Sequence, residues 1–400
     1  MRKSKLAVAM SGGVDSGMAA ALLVKEGYQC TGFHMHLWSE TVKSYRYENK
    51  NLAFGKNLVD SNKVFVNKCC STESLEVARK TAHQLGIPFQ VIDFSPIFKK
   101  RVVDYFLKAY ALGLTPNPCI FCNKFIKFGE LLNYIRKLGF DYLATGHYAK
   151  NETSQNLSGS LYYSLLAGKD KSKDQSYFLY NLTQSQLAHI LFPVGNYQKK
   201  EVVALAKKWQ LPMAHRPESQ EICFLPENDY RPFLKRHISS KIIPGEAVDI
   251  KRKMIGRHEG LPLYTIGQRH GFEVNSKVKS QKSKLIPPFY VIGKDVKKNQ
   301  LIVGFGQETE RKDFLVSDVS WINPNYPSVI SHQPLFVRIR HQGNLLEAQV
   351  LPQKTRFKVV LAEPERGIAP GQAAVFYLGE GVLGGGIITD YPLTKEKKND

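Results

Sequence analysis

The sequence predicts an α/β fold: an N-terminal parallel sheet with helices on both faces, a small central mixed domain and a C-terminal antiparallel β-barrel. Three observations predict it. Short apolar runs alternate with helical spacings over the first 145 residues. From about residue 286, short strand-like runs recur with turn residues between them. The stretch that joins the two, which includes GRHEGLPLYTIGQRHG, is turn-rich and lacks a helical period. At 400 residues the chain is about two to three ordinary domains long. The expected divisions are 1–226, 227–304 and 305–392, with a charged tail at 393–400.

In the first domain LAVAM at 6–10 has the short apolar form of a buried strand. A helix follows, with Met18, Leu22 and Lys25 along it and Gly27 closing it. CTGFHM at 30–35 is the second strand. Ser71 is placed to cap a helix carrying Leu75, Ala78, Ala82 and Leu85, and Gly86 with Pro88 ends it. FQVIDF at 89–94 is the third strand, 96–111 and 124–138 are helices, and DYLATGH at 141–147 is the fourth strand. Residues 39–68 are polar and basic without a period, and read as an excursion from the sheet. The barrel strands are FYVIGKDV, QLIVGF, LFVRIRH, LEAQVL, FKVVLAE, AAVFYL and VLGGGII.

Charge narrows the partners. The net charge is +21 and the pI about 9.5, an excess that small metabolites do not require. A polyanion such as nucleic acid explains it. No run of 18 apolar residues and no basic amphipathic helix with an aromatic face is seen, so no membrane partner is expected. The start MRKSKLAVAMSGG lacks the long apolar core of a secretory signal. A cytoplasmic setting follows, where the six cysteines serve as thiols or ligands rather than as structural disulfides.

AMSGGVDSG at 9–17 joins the first strand to the first helix. Gly12 and Gly13 have no Cβ, so a phosphate can approach the backbone. The N–H groups of the helix start face that phosphate, and the helix dipole favours its charge. Ser11 and Ser16 bring hydroxyl donors, and Asp15 can hold the loop or help place magnesium. The string is not a Walker A motif. It resembles the PP-loop of ATP pyrophosphatases, which cleave ATP between the α and β phosphates.

TPNPCIFCN at 115–123 carries Cys119 and Cys122, read as a proline-bracketed turn ahead of the helix at 124–138. Zinc needs four ligands, and no second CxxC or HxxxH accompanies this pair. A thioredoxin-like redox pair would have to open a helix, which this turn is not expected to do. Cys223 lies in ESQEICFLPE. Cys30, on an apolar strand, reads as core, and Cys69–Cys70 as structural.

With these residues in view the chain resembles the tRNA-specific 2-thiouridylase family. The resemblance rests on SGGVDS (11–16), TPNPCIFCNKFIKF (115–128), ATGHY (144–148), KDQSYFLY (173–180), FPVG (192–195), ICF (222–224), HEGL and YTIGQR within 258–269, and GQAAVFY and LGGGII within 372–388. It implies an adenine nucleotide alpha hydrolase-like catalytic domain and ATP-dependent 2-thiolation of the wobble uridine of tRNA. Adenylation makes the C2 oxygen a leaving group, and sulfur then replaces it. Cys223 resembles the persulfide carrier and Cys122 the partner nucleophile, which requires the two Cα atoms to come within about 6 Å. Lys124 and Lys127 are candidate cations beside the thiols.

The resemblance assigns the ATP phosphates to Ala9, Met10, Ser11, Gly12, Gly13, Val14, Asp15 and Ser16, and the nucleotide pocket to Met35 and Gly146. Asn117, Pro118 and Cys119 fall to the target base. His147, Lys173, Asp174, Gln175, Arg340, His341 and Gln372 fall to tRNA around the anticodon. The sulfur donor is implied to be a protein of a cysteine-desulfurase relay. Some family members carry aspartate where Cys119 stands. That departure admits an alternative, an iron–sulfur cluster on Cys119, Cys122 and Cys223 that delivers sulfide.

Overall fold

The computed structural model describes residues 4–43, 62–65, 71–155, 159–217, 222–225, 227, 229–275, 288–324, 326 and 335–389. The first unit begins β1 (Lys5–Ala9), α1 (Val14–Lys25), β2 (Gln29–His36), β3 (Glu40–Lys43), β4 (Asn62–Phe65), α2 (Thr72–Gln84) and β5 (Phe89–Asp93). A π-helical turn, Lys99–Val103, joins α3 (Ser95–Phe98) to α4 (Asp104–Ala111). A π-helical stretch, Cys122–Leu131, joins α5 (Pro118–Phe121) to α6 (Leu132–Lys137). Then come β6 (Tyr142–Ala144), β7 (Ala149–Gln155), β8 (Leu161–Ala167), α7 (Gln184–Leu187), β9 (Ile190–Leu191) and α8 (Lys199–Lys208).

Five of these strands form a parallel sheet in the order β5-β2-β1-β6-β9. The winding reverses between β1 and β6, and open α/β sheets hold ligands at the carboxyl edge of that switch point. The apolar run of β1 is buried on both faces, as a central strand requires. The alanines of α1 at 19, 20 and 21 are buried and let it pack closely beside α8 and α2. The expected cap of α2 is present: Ser71 Oγ accepts from Ser74 N at 3.1 Å.

One local expectation is corrected. The helix foreseen at 124–138 begins six residues earlier, at Pro118. Proline lacks an N–H, and the first helical turn needs none. Cys119 and Cys122 therefore ride on the opening turns of a helix, not in a free turn, so the objection to a redox pair on that ground falls. Of the 39–68 excursion, β3 and β4 pair antiparallel, Glu40 opposite Phe65. Residues 44–61 and 66–68, Cys69, Cys70 and the 393–400 tail lie outside the described residues.

The central unit opens with α9 (Tyr230–His237) and carries β10 (Gly245–Val248), β11 (Met254–His258), β12 (Phe272–Val274), β13 (Tyr290–Asp295) and β14 (Gln300–Gly304). Its sheet runs β12-β11-β10-β14-β13, mixed because β10 and β14 are parallel. The third unit is β15 (Glu310–Trp321), β16 (Leu335–Arg338), β17 (Leu346–Gln353), β18 (Arg356–Arg366), β19 (Ala373–Leu378) and β20 (Gly381–Ile388). These pair antiparallel in the order β15-β18-β17-β16-β19-β20, and β15 with β20 closes the barrel.

FYVIGKDV and QLIVGF, expected in the barrel, are β13 and β14 of the central sheet, because β14 pairs with β10 and β13 and not with a barrel strand. Strand β15, α8 and the β7–β8 hairpin escaped the sequence reading; β15 opens on four charged residues, 310–313, and carries Asp318 in mid-run. The β7–β8 hairpin leaves the first unit and extends the barrel sheet at β20, where Gly381 faces Leu166. Among the described residues no helix is long and apolar enough to cross a membrane.

Candidate active site

The loop after β1 folds on its own hydroxyl. Ser16 Oγ donates to the Gly13 carbonyl at 3.1 Å and accepts from Ser11 N at 3.2 Å. Ser16 is buried and serves the loop, whereas Ser11 is exposed toward any ligand. Gly12 has φ +77, and a Cβ there would collide with the Ser74 carbonyl oxygen at the start of α2. Gly13 is the N-cap of α1 and receives no side-chain cap, which leaves the helix start to a ligand. Ala9, Met10 and Val14 are buried beneath the loop. Buried His34 holds the Met10 carbonyl at 2.9 Å from Nδ1, and burial lowers its pKa.

Gly146 closes the other side. A Cβ there would press on the backbone of Asp15 and Ser16, so the β6 loop packs directly on the phosphate loop. Asp15 is held twice at Oδ1, by Tyr148 Oη at 2.8 Å and by Lys199 Nζ at 2.6 Å. Arg216 donates from Nη1 to the Gly12 carbonyl at 3.1 Å and to Ser74 Oγ at 3.2 Å. The sequence reading missed Tyr148, Lys199 and Arg216. Their distance from the loop in sequence is 133 residues or more for the two that grip Asp15, and no local pattern announces such contacts.

Cys122 and Cys223 border one hydrophobic cluster. Each is partly buried and packs against the core that contains Leu37, Phe98, Phe106, Ile126 and Phe224. Met35, near the end of β2, packs against the same cluster and against the core beneath the sheet. Phe121, one residue before Cys122, stacks on Tyr105 at 3.6 Å between centroids. Cys119 is exposed one turn earlier, Pro118 is buried, and Asn117 is an N-cap whose side chain makes no cap bond. Burial raises the Cys30 thiol to about 11, as expected of core, with Glu26 adding to the effect.

Among the described residues no group of three or more His, Cys, Asp and Glu side chains could hold a metal ion. Cys119, Cys122 and Cys223 are not gathered as a ligand set in this conformation: Cys119 is exposed, while Cys122 and Cys223 are partly buried against one core.

The residues assigned to tRNA separate into surface and interior. His147 is buried, its Nδ1 2.7 Å from Thr145 Oγ1 and its Nε2 3.4 Å from Lys127 Nζ. Burial, and then Lys127, holds its pKa well below the usual range, so the ring is neutral. Asp174 is buried too, with Oδ2 accepting from Arg338 Nη1 at 2.9 Å and from Ser176 Oγ at 3.0 Å. Both side chains are held by partners inside the protein in this conformation, although Asp174 also borders the cleft that Lys173 lines.

Lys173 and Gln175 remain partly exposed. Lys173 lines a cleft of about 460 Å³ with Lys171, Arg338 and Gln342. Arg340 is exposed and Gln372 partly so; both line a cleft of about 400 Å³ where all three units meet. Gln372 Nε2 also donates to the Thr115 carbonyl at 3.1 Å, which ties the barrel to the TPNPC segment. His341 packs on Phe178, 4.3 Å between centroids, and burial lowers its pKa.

Comparison with known proteins agrees with this architecture. A family model described as the tRNA methyl transferase HUP domain matches residues 4–227. The PRC-barrel domain of the same name matches 231–305, and an aminomethyltransferase beta-barrel domain matches 311–388. The tRNA-specific 2-thiouridylase MnmA of Symbiobacterium thermophilum is 42% identical over 96% of this chain and 92% of its own. That of Carboxydothermus hydrogenoformans is 40% identical over 96% and 98%. A 4-thiouridine synthetase–RNA complex with bound ATP is 12% identical with a TM-score of 0.31, covering 60% of this chain and 51% of that one, too distant to carry an argument. On the extent and level of that identity, the chain belongs to the tRNA-specific 2-thiouridylase family.

Proposed function

We propose that this protein is an ATP-dependent tRNA-uridine 2-sulfurtransferase that converts the wobble uridine to 2-thiouridine. The observation that supports the reading is that Cys122 and Cys223 border the same apolar cluster as Met35, near the carboxyl edge of the nucleotide-type sheet. A methyl transferase, the name attached to the matching domain models, needs neither a phosphate loop nor paired thiols. The curated relatives named above are 2-thiouridylases throughout their length.

ATP is the first substrate. Backbone N–H groups of the turn from Gly12 to Ser16 cradle its phosphates, and Met35 and Gly146 border the nucleotide. Asp15 is the loop carboxylate that would stand beside a magnesium ion carried by those phosphates, and the ion would supply charge neutralisation. The uracil O2 attacks the α-phosphorus, pyrophosphate leaves, and the N3 proton passes to water. Cys223 carries the incoming sulfur as a persulfide. The Cys122 thiolate attacks the Cys223 sulfur, a Cys122–Cys223 disulfide forms, and hydrosulfide is released with the displaced electron pair. That sulfide adds to C2, and the C2–O bond breaks with loss of AMP. A two-electron reductant then resets the disulfide.

Asn117, Pro118 and Cys119 lie against the unstacked base, since an enzyme acting on a base must take it from its stack. Lys173, Gln175, Arg340 and Gln372 contact the tRNA around the anticodon. A protein of a cysteine-desulfurase relay supplies the persulfide sulfur, in the cytoplasm where the tRNA pool is. The test is mass analysis of tRNA nucleosides after incubation with ATP, magnesium, a dithiol reductant and a sulfane-sulfur donor, cysteine with a cysteine desulfurase. 2-Thiouridine is expected from the native protein and not from Cys122→Ser or Cys223→Ser. Its absence from the native reaction, with ATP consumed on a small acceptor instead, would point to a synthetase.

A further inference from the structure

The charge on Asp15 raises a problem for the phosphate loop. Asp15 is the second residue of α1, in the turn whose N–H groups face a phosphate. A carboxylate there has the sign of the ligand and repels it unless a cation neutralises it. The structure supplies that cation from another element. Lys199, the first residue of α8, reaches across to place Nζ 2.6 Å from Asp15 Oδ1, with its side chain only 16% exposed. Its backbone is fixed, because Lys199 N donates to Asp170 Oδ2 at 2.9 Å. The Tyr148 hydroxyl shares the same oxygen at 2.8 Å, and its ring lies 5.8 Å from the ammonium. Three separate parts of the chain thus converge to set one ammonium beside the loop.

We propose that Lys199 is a catalytic residue of the adenylation step, donating to the pyrophosphate leaving group as its charge builds. The proposal rests on the adenylation reading given above. As uracil O2 bonds to the α-phosphorus, the bond from that phosphorus to the α,β-bridging oxygen breaks. Its electron pair leaves with pyrophosphate, and the N3 proton goes to water. Lys199 stays protonated throughout. Its long flexible stem lets the ammonium shift from Asp15 toward phosphate oxygens, which a rigid guanidinium does less readily.

The experiment measures single-turnover pyrophosphate release by the full chain with ATP and an unmodified tRNA transcript. Lys199→Met is expected to slow it about 100-fold, the usual effect of losing one preorganised donor, while the Kd for ATP rises less than about tenfold. Lys199→Arg should recover part of the rate because it keeps the charge. The decisive readout is the leaving group. Replacing β,γ-methylene ATP by its less basic β,γ-difluoromethylene counterpart should speed Lys199→Met at least about tenfold more than the native protein. Equal slowing with both analogues would make Lys199 merely structural and overturn the proposal, as would a native rate in Lys199→Met. No pyrophosphate release by the native protein would instead overturn the adenylation reading, and the inference with it.

Discussion

Gly12 concentrates the loop's requirements in one missing atom. Its φ of +77 is a left-handed backbone, and a Cβ would strike the Ser74 carbonyl. Gly12→Ala is expected to lose pyrophosphate release and to destabilise the chain by about 1–3 kcal/mol, measured by denaturant unfolding. The thiols act later than ATP. Cys223→Ser should abolish thiolation while leaving tRNA-dependent pyrophosphate release within about threefold of native, because each step has its own residues. Loss of both activities together would show that the cysteine shapes the nucleotide site. His147 shows what position alone does not contain: burial, and then Lys127, holds the ring's pKa well below its usual range.

Helix α9 and strand β3 are held by a charge network at the level of elements. Arg236 donates from Nη2 to Glu40 Oε2 at 2.9 Å and from Nη1 to Glu227 Oε1 at 2.7 Å, while His237 Nε2 lies 2.8 Å from Glu40 Oε1. Glu40 is nearly buried. Burial alone would raise its pKa, but the bonds from His237 and Arg236 outweigh it and hold the carboxyl at about 2. Stability from this group is therefore full above its unfolded value and is lost as pH falls toward 2. Arg236→Met leaves the buried carboxylate with His237 as its remaining partner, so a loss of about 1–3 kcal/mol is expected at pH 7. The loss should shrink below pH 4, where the buried acid can take a proton; thermal unfolding at the two pH values checks this. The 118–137 helix makes the same point about position, since its opening at Pro118 puts Cys119 and Cys122 on a packed element.

Across the whole molecule, charge and domain contacts govern behaviour. With a net charge of +21, tRNA affinity should fall by about 100-fold or more between 50 and 200 mM salt through counterion release. A flat dependence in a filter-binding titration would remove the electrostatic argument. The contact of the central sheet with the first unit carries a pH term. Lys294 Nζ donates to the Gly113 carbonyl at 2.9 Å, and burial pushes its pKa down to about 7. The unfolded chain binds that proton up to a higher pH than the folded one, so this group's penalty is full below about pH 7 and fades as pH rises toward its ordinary value. Lys294→Met should therefore raise Tm more at pH 6 than at pH 10, and the reverse order would show that the Gly113 bond dominates.

Local chemistry made much of this legible in advance. The β1 run, the Ser71 cap, the SGGVDS loop and most barrel strands depend on residues close together in the chain, where period, turn chemistry and side-chain size speak directly. The helix start at Pro118 was misjudged because a proline can open a helix as readily as end a turn. The 199–208 helix, the 149–167 hairpin and the grip of Lys199, Tyr148 and Arg216 on the loop were not legible. By itself the sequence determined the SGGVDS loop between a strand and a helix, the fold class and the basic charge. Only the tertiary structure decided that Cys122 and Cys223 share one apolar cluster, that His147 and Asp174 are interior, and that a lysine 184 residues from Asp15 stands beside it. The physical reason is that burial and long-range charge pairing depend on distances in space, which a pattern along the chain does not contain.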